Sequence, residues 1–441
     1  MIDAAPPKNA SLAAAGARPM QADGPNWCRI GEKMRFCMVT TFYPPFHAGG
    51  DAIYVQALAR ALRHEGHDVE VVHCEDAFRV REARTREPAA KVGDRDDIVA
   101  HRLRHPLGFL SPLYTQQTGR PGLKRHSLRV ILDRDFDVIH FHNISLVGGP
   151  CVLGMGQARV RLYTTHDYWL ICPTHIFWKN RQRACDRPTC WTCCIRSGIP
   201  PQLWRLSNLI GRELEHVDLL LAPSEFAAGK HREAGITRPI EVLANFSRFD
   251  PTPAFKRVNP ERPRFLFVGR IIAPKGIGPL VDLFTELPEY ELWVAGEGDL
   301  LDTLVRRCRN VANIRFLGQV DTAQLPALYG AATATIIPSL VPEVLALVML
   351  ESFAHGTPVI SFDTGGFGDV LRATGAGILC RDMAELKSAV HGLASDPELG
   401  QRLGSLGRMA YLERYTERAH VAAYLGHVKE LLANSTQRRA S

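Results

Sequence analysis

The chain lacks any run of about 20 apolar residues, which excludes a helix able to span a bilayer. Its first 33 residues, rich in Ala, Pro and polar groups, lack the apolar stretch of a secretory signal. They are expected to be a disordered lead, or to precede a true start at Met34. Neither sign of charge dominates: 53 basic against 46 acidic residues leave a net +7, and no nucleic-acid-binding motif accompanies that excess, which argues against a nucleic-acid partner. The basic residues that do cluster, at Arg79 to Arg86 and His101 to His105, read as solvated faces or as a patch drawn to an anionic membrane surface.

What is present suits an α/β enzyme: 441 residues, 46% hydrophobic and 22% charged, enough for two domains of about 200 residues each. The segment Arg35 to Thr40 reads as a first parallel strand. It is followed by a Gly49-Gly50 turn, a helix over Ala52 to Leu62 and a strand over Asp68 to His73, which make one βαβ unit. Buried-strand runs recur at Asp137 to Phe141, Arg161 to Thr165, Leu219 to Ala222 and Ile240 to Leu243. A segment with four prolines, Asp250 to Arg264, reads as a linker after which the same pattern restarts at Phe265 to Val268. Two doubly wound domains in tandem are therefore expected, spanning 34–250 and 265–414, with a terminal helix over 415–433. Ligands of such sheets bind beyond the carboxyl ends of the strands.

Two motifs carry the chemistry. In Gly-Arg-Ile-Ile-Ala-Pro-Lys-Gly, at Gly269 to Gly276, Arg270 and Lys275 extend from a strand-end loop and suit a clamp on phosphates. In the second, Glu343 and Glu351 are separated by seven residues. If that run is helical from near Pro342, the carboxylates lie about 12 Å apart along the axis and about 80° around it. The helix start between them would offer free N–H groups to a pyrophosphate.

The ordered series Gly-Gly, Thr-His-Asp, Pro-Ser, Gly-Arg-x4-Lys-Gly, Glu-x7-Glu and Gly-Gly resembles the retaining glycosyltransferases of family 4, which have the GT-B fold, over about Met34 to Arg414. That resemblance implies two Rossmann-like domains facing each other across a cleft and a nucleotide-sugar donor, UDP- or GDP-linked. The acceptor would be a glycan or lipid-linked hydroxyl. Arg270 and Lys275 then match the pyrophosphate clamp, Glu351 the carboxylate on the ribose, Glu343 the one at the donor sugar, and His166 an active-site histidine near the reacting carbon. Gly49 and Gly50 match a glycine loop that lets backbone approach the sugar and phosphate, and Gly365 and Gly366 a donor-side turn. The family pattern Glu-Gly-Phe/Tyr-Gly-Leu becomes Glu343-Val344-Leu345-Ala346-Leu347 here. Ala346 still allows backbone N–H contact with phosphate, so Ala346 and Leu347 join the binding set.

No residue reads as a catalytic metal ligand, so catalysis is expected to need no cofactor beyond the donor. His140 and His142 alternate about Phe141 and share a strand face without a third ligand at a convincing spacing. Cys172, Cys185, Cys190 and Cys193 leave three readings open: a structural zinc, free thiols packing a loop, or disulfides. Trp169, Phe177, Trp178 and Trp191 lie in the same segment and suit an acceptor wall. The expected activity is glycosyl transfer with retained configuration in polysaccharide or glycolipid assembly, in the cytoplasm and peripheral to the membrane. Two alternatives keep the clamp: a sugar-nucleotide 2-epimerase, which needs no acceptor, and a nucleotide-sugar-binding scaffold without turnover.

Overall fold

The computed structural model describes residues 33–47, 49–82, 98–247, 249 and 262–440. The N-terminal lead, most of the Pro-rich linker and Ala83 to Arg86 of the first basic cluster lie outside these residues.

Fifteen strands are present among the described residues. They are β1 (Arg35–Val39), β2 (Asp68–Cys74), β3 (Val99–Leu103), β4 (Val138–Phe141), β5 (Val160–Thr164), β6 (Trp178–Lys179), β7 (Arg183–Ala184), β8 (Leu219–Ala222), β9 (Ile240–Val242), β10 (Arg264–Val268), β11 (Glu291–Ala295), β12 (Ile314–Gly318), β13 (Ala334–Ile337), β14 (Val359–Phe362) and β15 (Gly377–Cys380). The first large sheet has the order β3-β2-β1-β4-β5-β8-β9 and the second β12-β11-β10-β13-β14-β15. Both are parallel throughout. Strands buried on both faces explain the near-continuous apolar runs at β4, β8, β13 and β14. Each order reverses direction once, between β1 and β4 and between β10 and β13. These two switch points are where a doubly wound sheet opens a crevice.

Glu417–Ala440 forms one long helix, longer than the expected terminal element. Its Val421, Tyr424 and Val428 pack in the core with Phe36, Tyr54 and Val138, so the C-terminal helix completes the first sheet's layer rather than the second's. β3 falls within the second basic cluster, and its charges are largely matched. His101 lies 2.5 Å from Glu70, Arg102 is 3.5 Å from Glu75, and the His105 N–H donates to Asp76. Arg79, in the first cluster, pairs with the same Glu75 at 2.6 Å. Pairing of this kind gives the described parts of both clusters a structural role within the first sheet. No helix among the described residues is long and apolar enough to cross a membrane.

Candidate active site

At the second switch point the strand-end loop after β10 is fixed by close backbone approach. The Ile271 N–H donates to Glu297 O at 2.7 Å, and a Cβ on Gly296 would lie 1.9 Å from Gly269 O. Gly276 has φ +71°, and a Cβ there would lie 1.8 Å from Pro338 O, so only glycine lets the Lys275 turn sit against the end of β13. Lys275 Nζ then donates to Glu343 Oε2 at 2.6 Å, while Ser339 Oγ donates to Glu343 Oε1. Arg270 is exposed on the same loop.

The helix that carries Glu351 differs from the expected one. It runs Leu347–Ala354, with Ala346 as an extended N-cap, so Glu343 stands on the preceding loop rather than on the helix. Packing overrides the helical periodicity of Val344 and Leu345: Val344 is buried in the core of the first sheet and Leu345 in a core of the second. The residues at the helix start are therefore Leu347 and Val348, next to Ala346, as a phosphate-binding N-terminus requires. Glu351 is 7% exposed, and its Oε2 accepts from the buried Tyr329 hydroxyl at 2.7 Å. This supplies the polar partner that a carboxylate in an apolar run needs.

Gly365 and Gly366 lie against the Glu343 loop. The Gly366 N–H donates to Glu343 O at 2.8 Å, and a Cβ on Gly365 would lie 2.3 Å from the same oxygen. Their observed work is thus to seat the Glu343 loop. Asp369, close by, accepts from the Phe226 N–H at 2.6 Å, and Ser224 Oγ donates to Val344 O at 2.6 Å. The second bond joins the end of the loop after β8 to the Glu343 loop, and the first joins the helix Glu225–Glu233 to the helix Gly366–Thr374. Neither was assigned a role from sequence, because each partner is more than a hundred residues away.

At the first switch point Gly49, with φ +119°, precedes the helix Gly50–His64, and a Cβ on Gly50 would meet Leu347 Cδ1 at 3.7 Å. The glycine turn and the start of the Glu351 helix are therefore neighbours. His166 follows β5 and His142 follows β4, with His142 Nδ1 2.9 Å from His166 Nε2. His142 Nε2 lies 3.3 Å from Met38 Sδ. A thioether only accepts, so Nε2 of neutral His142 carries the hydrogen and Nδ1 accepts from His166 Nε2–H. His166 is left with Nδ1 as an acceptor.

Burial holds His142 well below the usual imidazole range. It also holds His166 below that range, against the opposing pull of Asp51 and Asp167. His140 shares the strand face with His142, their rings 4.0 Å apart, but it bonds Thr164 and Tyr424 rather than forming a metal site. Tyr54, packed on His166 at 4.9 Å, bonds His420 Nε2 from the C-terminal helix at 2.8 Å. Tyr54, backed by His420, thus builds the wall behind His166, while Tyr424 stacks on His140, and sequence spacing gave no sign of them.

In the cysteine-rich segment Trp169 and Trp178 are buried, and Phe177 is partly buried. Only Trp191 of the proposed aromatic wall is exposed, at the edge of a cavity of about 620 Å3 that Leu206 and Arg205 also line. Cys172, Cys185, Cys190 and Cys193 are free thiols, and as the side chains stand no group of three or more His, Cys, Asp or Glu among the described residues is gathered tightly enough to hold an ion.

Two parallel doubly wound sheets, joined where their switch points meet and carrying a basic loop opposite a glycine turn, define a GT-B glycosyltransferase. The chain belongs to the group 1 and family 4 glycosyltransferases: the family model "Glycosyl transferases group 1" matches residues 249–409 and "Glycosyltransferase Family 4" matches residues 48–246. It is 28% identical over 395 residues to a glycogen synthase of Mycobacterium tuberculosis, covering 85% of this chain and 89% of that one. It is 26% identical to a phosphatidyl-myo-inositol mannosyltransferase of Mycolicibacterium smegmatis, covering 84% and 86%. In fold it is similar to a sucrose-phosphate synthase from Thermosynechococcus elongatus (TM-score 0.69, 20% identity, 91% of this chain and 100% of that one). Anabaena HepE, solved with UDP and glucose, is also similar (TM-score 0.64, 17% identity, 90% and 100%).

Proposed function

We propose that this glycosyltransferase moves a hexosyl group from a UDP- or GDP-linked donor to a hydroxyl of a glycan or lipid-linked acceptor, with retention of configuration. The observation that carries the reading is the Lys275–Glu343 pair at the second switch point, beside the start of the Glu351 helix and across from Gly49-Gly50. Arg270, Lys275 and the N–H groups at Ala346 and Leu347 hold the diphosphate and stabilise its charge as the sugar departs. Glu351 takes the ribose hydroxyls. Glu343 and the acceptor nitrogen of His166 orient the sugar.

The carboxylates near His166 already have partners. Asp51 accepts from Asn143 at 3.2 Å, and Asp167 accepts from the Trp169 N–H and from His175. This favours same-face attack, with the leaving phosphate taking the acceptor proton, over a covalent enzyme intermediate. The names of the relatives and the UDP and glucose bound to HepE support a nucleotide-sugar donor.

Contact with a membrane that carries a lipid-linked acceptor is made by the apolar residues Leu107, Phe109, Leu110, Leu113 and Tyr114, each more than 40% exposed. The test is to incubate the protein with a panel of nucleotide sugars and oligosaccharide or lipid-linked acceptors. Nucleotide diphosphate release is followed, and the product anomer is assigned by NMR. Release with a retained anomer supports the reading. Inversion, or an epimerised donor formed without acceptor, contradicts it.

A further inference from the structure

We propose that Cys172, Cys185, Cys190 and Cys193 form a tetrathiolate site for one structural zinc ion, which fastens the 172–194 segment beside the His166 loop. All four thiols line a single small cavity of about 20 Å3, room for one ion, together with Phe177, Trp178 and Lys179. Cys190 and Cys193 begin the helix Cys190–Arg196, and residues three apart on a helix share a face. The Asn180 N–H points at Cys193 Sγ at 3.4 Å, as a backbone donor to a metal-bound thiolate does.

The segment needs such a fastener. Its regular structure is the two-residue hairpin of β6 and β7 and one short helix, and Arg183, Ala184 and Cys190 are exposed. A module of this size cannot bury a core of its own, and metals or disulfides usually hold such modules together. Yet all four non-glycine residues with positive φ among the described residues lie here: His175, Phe177, Asn180 and Arg181. Side chains in this conformation persist where their surroundings fix them.

Charge is matched as well. Four thiolates around a divalent ion carry a net charge of −2. Lys179, 8% exposed, lines the cavity and shares its charge with Asp186 at 2.9 Å. Zinc–sulfur bonds of about 2.3 Å require the thiols to turn further inward than they stand. Each thiol then gives up its proton to solvent as its sulfur bonds the ion.

The consequence for the site is direct. The Tyr168 N–H donates to His175 O, the His175 N–H to Cys172 O, and His175 Nδ1 to Asp167 at 2.7 Å, the residue after His166. Metal at Cys172 would therefore hold the turn on which His166 depends.

The test is metal analysis of the full chain, purified under reducing conditions, by inductively coupled plasma mass spectrometry. One zinc per chain, released stoichiometrically by a thiol-blocking mercurial, is expected. Cobalt in its place should give the intense visible bands of a tetrahedral thiolate site. Cys190→Ser should lose the ion, whereas Cys194→Ser, which alters a buried thiol outside the cavity, should keep it. Should Cys190→Ser fail to fold, the stoichiometry and cobalt spectrum of the unaltered chain still decide. Chains that hold no metal while all eleven cysteines titrate as free thiols, chains whose mass shows disulfides, or loss of zinc in Cys194→Ser would each overturn the proposal. None of these readouts depends on glycosyl transfer.

Discussion

Lys275 donates a hydrogen bond from Nζ to Oε2 of Glu343 at 2.6 Å, joining the loops that follow β10 and β13 on either side of the second sheet's switch point. Both side chains keep some exposure, 22% and 16%, so the pair adds little to stability. It does fix two charges where a diphosphate and its sugar would meet. Glu343→Gln keeps the shape and weakens a charge-assisted bond worth about 1.5–3 kcal/mol, which corresponds to roughly 10- to 100-fold in rate. The expected outcome is a kcat reduced by that factor with an unchanged melting midpoint, read by steady-state kinetics and calorimetry.

Gly366 and Gly229 separate steric demand from backbone freedom. A Cβ on Gly366 would lie 2.1 Å from Val344 O and 2.7 Å from Ser224 Oγ, both on the seam between the two sheets, whereas at Gly229 nothing lies within 4 Å. Gly366→Ala should destabilise by at least the roughly 1–3 kcal/mol of an overpacked contact. Gly229→Ala, in the helix Glu225–Glu233, should stabilise by up to about 1 kcal/mol. Urea unfolding of the two variants checks both signs.

Acid should unfold the protein through its buried histidines. Burial pushes His420 down to about 4, against the Ala244 carbonyl that opposes the shift, and it lowers His142 and His166 as well. In the unfolded chain each titrates near 6.5. A depressed folded value means the contribution is fully present above about pH 6.5 and is lost as pH falls towards the folded value. For His420 alone the loss by pH 5 is about 2 kcal/mol. Urea unfolding at pH 7.5 and pH 5 should show at least this difference. His420→Gln should flatten the slope by close to one proton, and a stability independent of pH across that window would contradict the assignment.

Most of the architecture was legible because strands of parallel sheets are apolar on both faces. The run at β8 has the bounds that composition predicts, and those at β1, β2, β4, β9 and β10 differ by one residue at an end, as β5 does at both. β3 was not legible, since its His101 and Arg102 look solvated until Glu70 and Glu75 are brought beside them. The start of the Glu351 helix was misplaced for a related reason. The run from Pro342 read as one helix, yet Val344 and Leu345 enter two different cores. In the site, the residues carried by local motifs, among them Lys275, Glu343, Gly49 and His166, could be named in advance. Ser224 belongs to the Pro-Ser element, but its bond to Val344, like those of Asp369, Tyr54 and His420, spans more than a hundred residues, and no local spacing encodes such bonds.

The most direct test of the account is the turnover of Lys275→Ala with saturating donor and acceptor, followed as nucleotide diphosphate release beside the unaltered enzyme. Loss of one preorganised electrostatic contact to the departing diphosphate predicts a kcat lower by roughly 100- to 1,000-fold. A variant that folds and turns over at a near-normal rate would contradict the placement of the diphosphate on the Arg270–Lys275 loop.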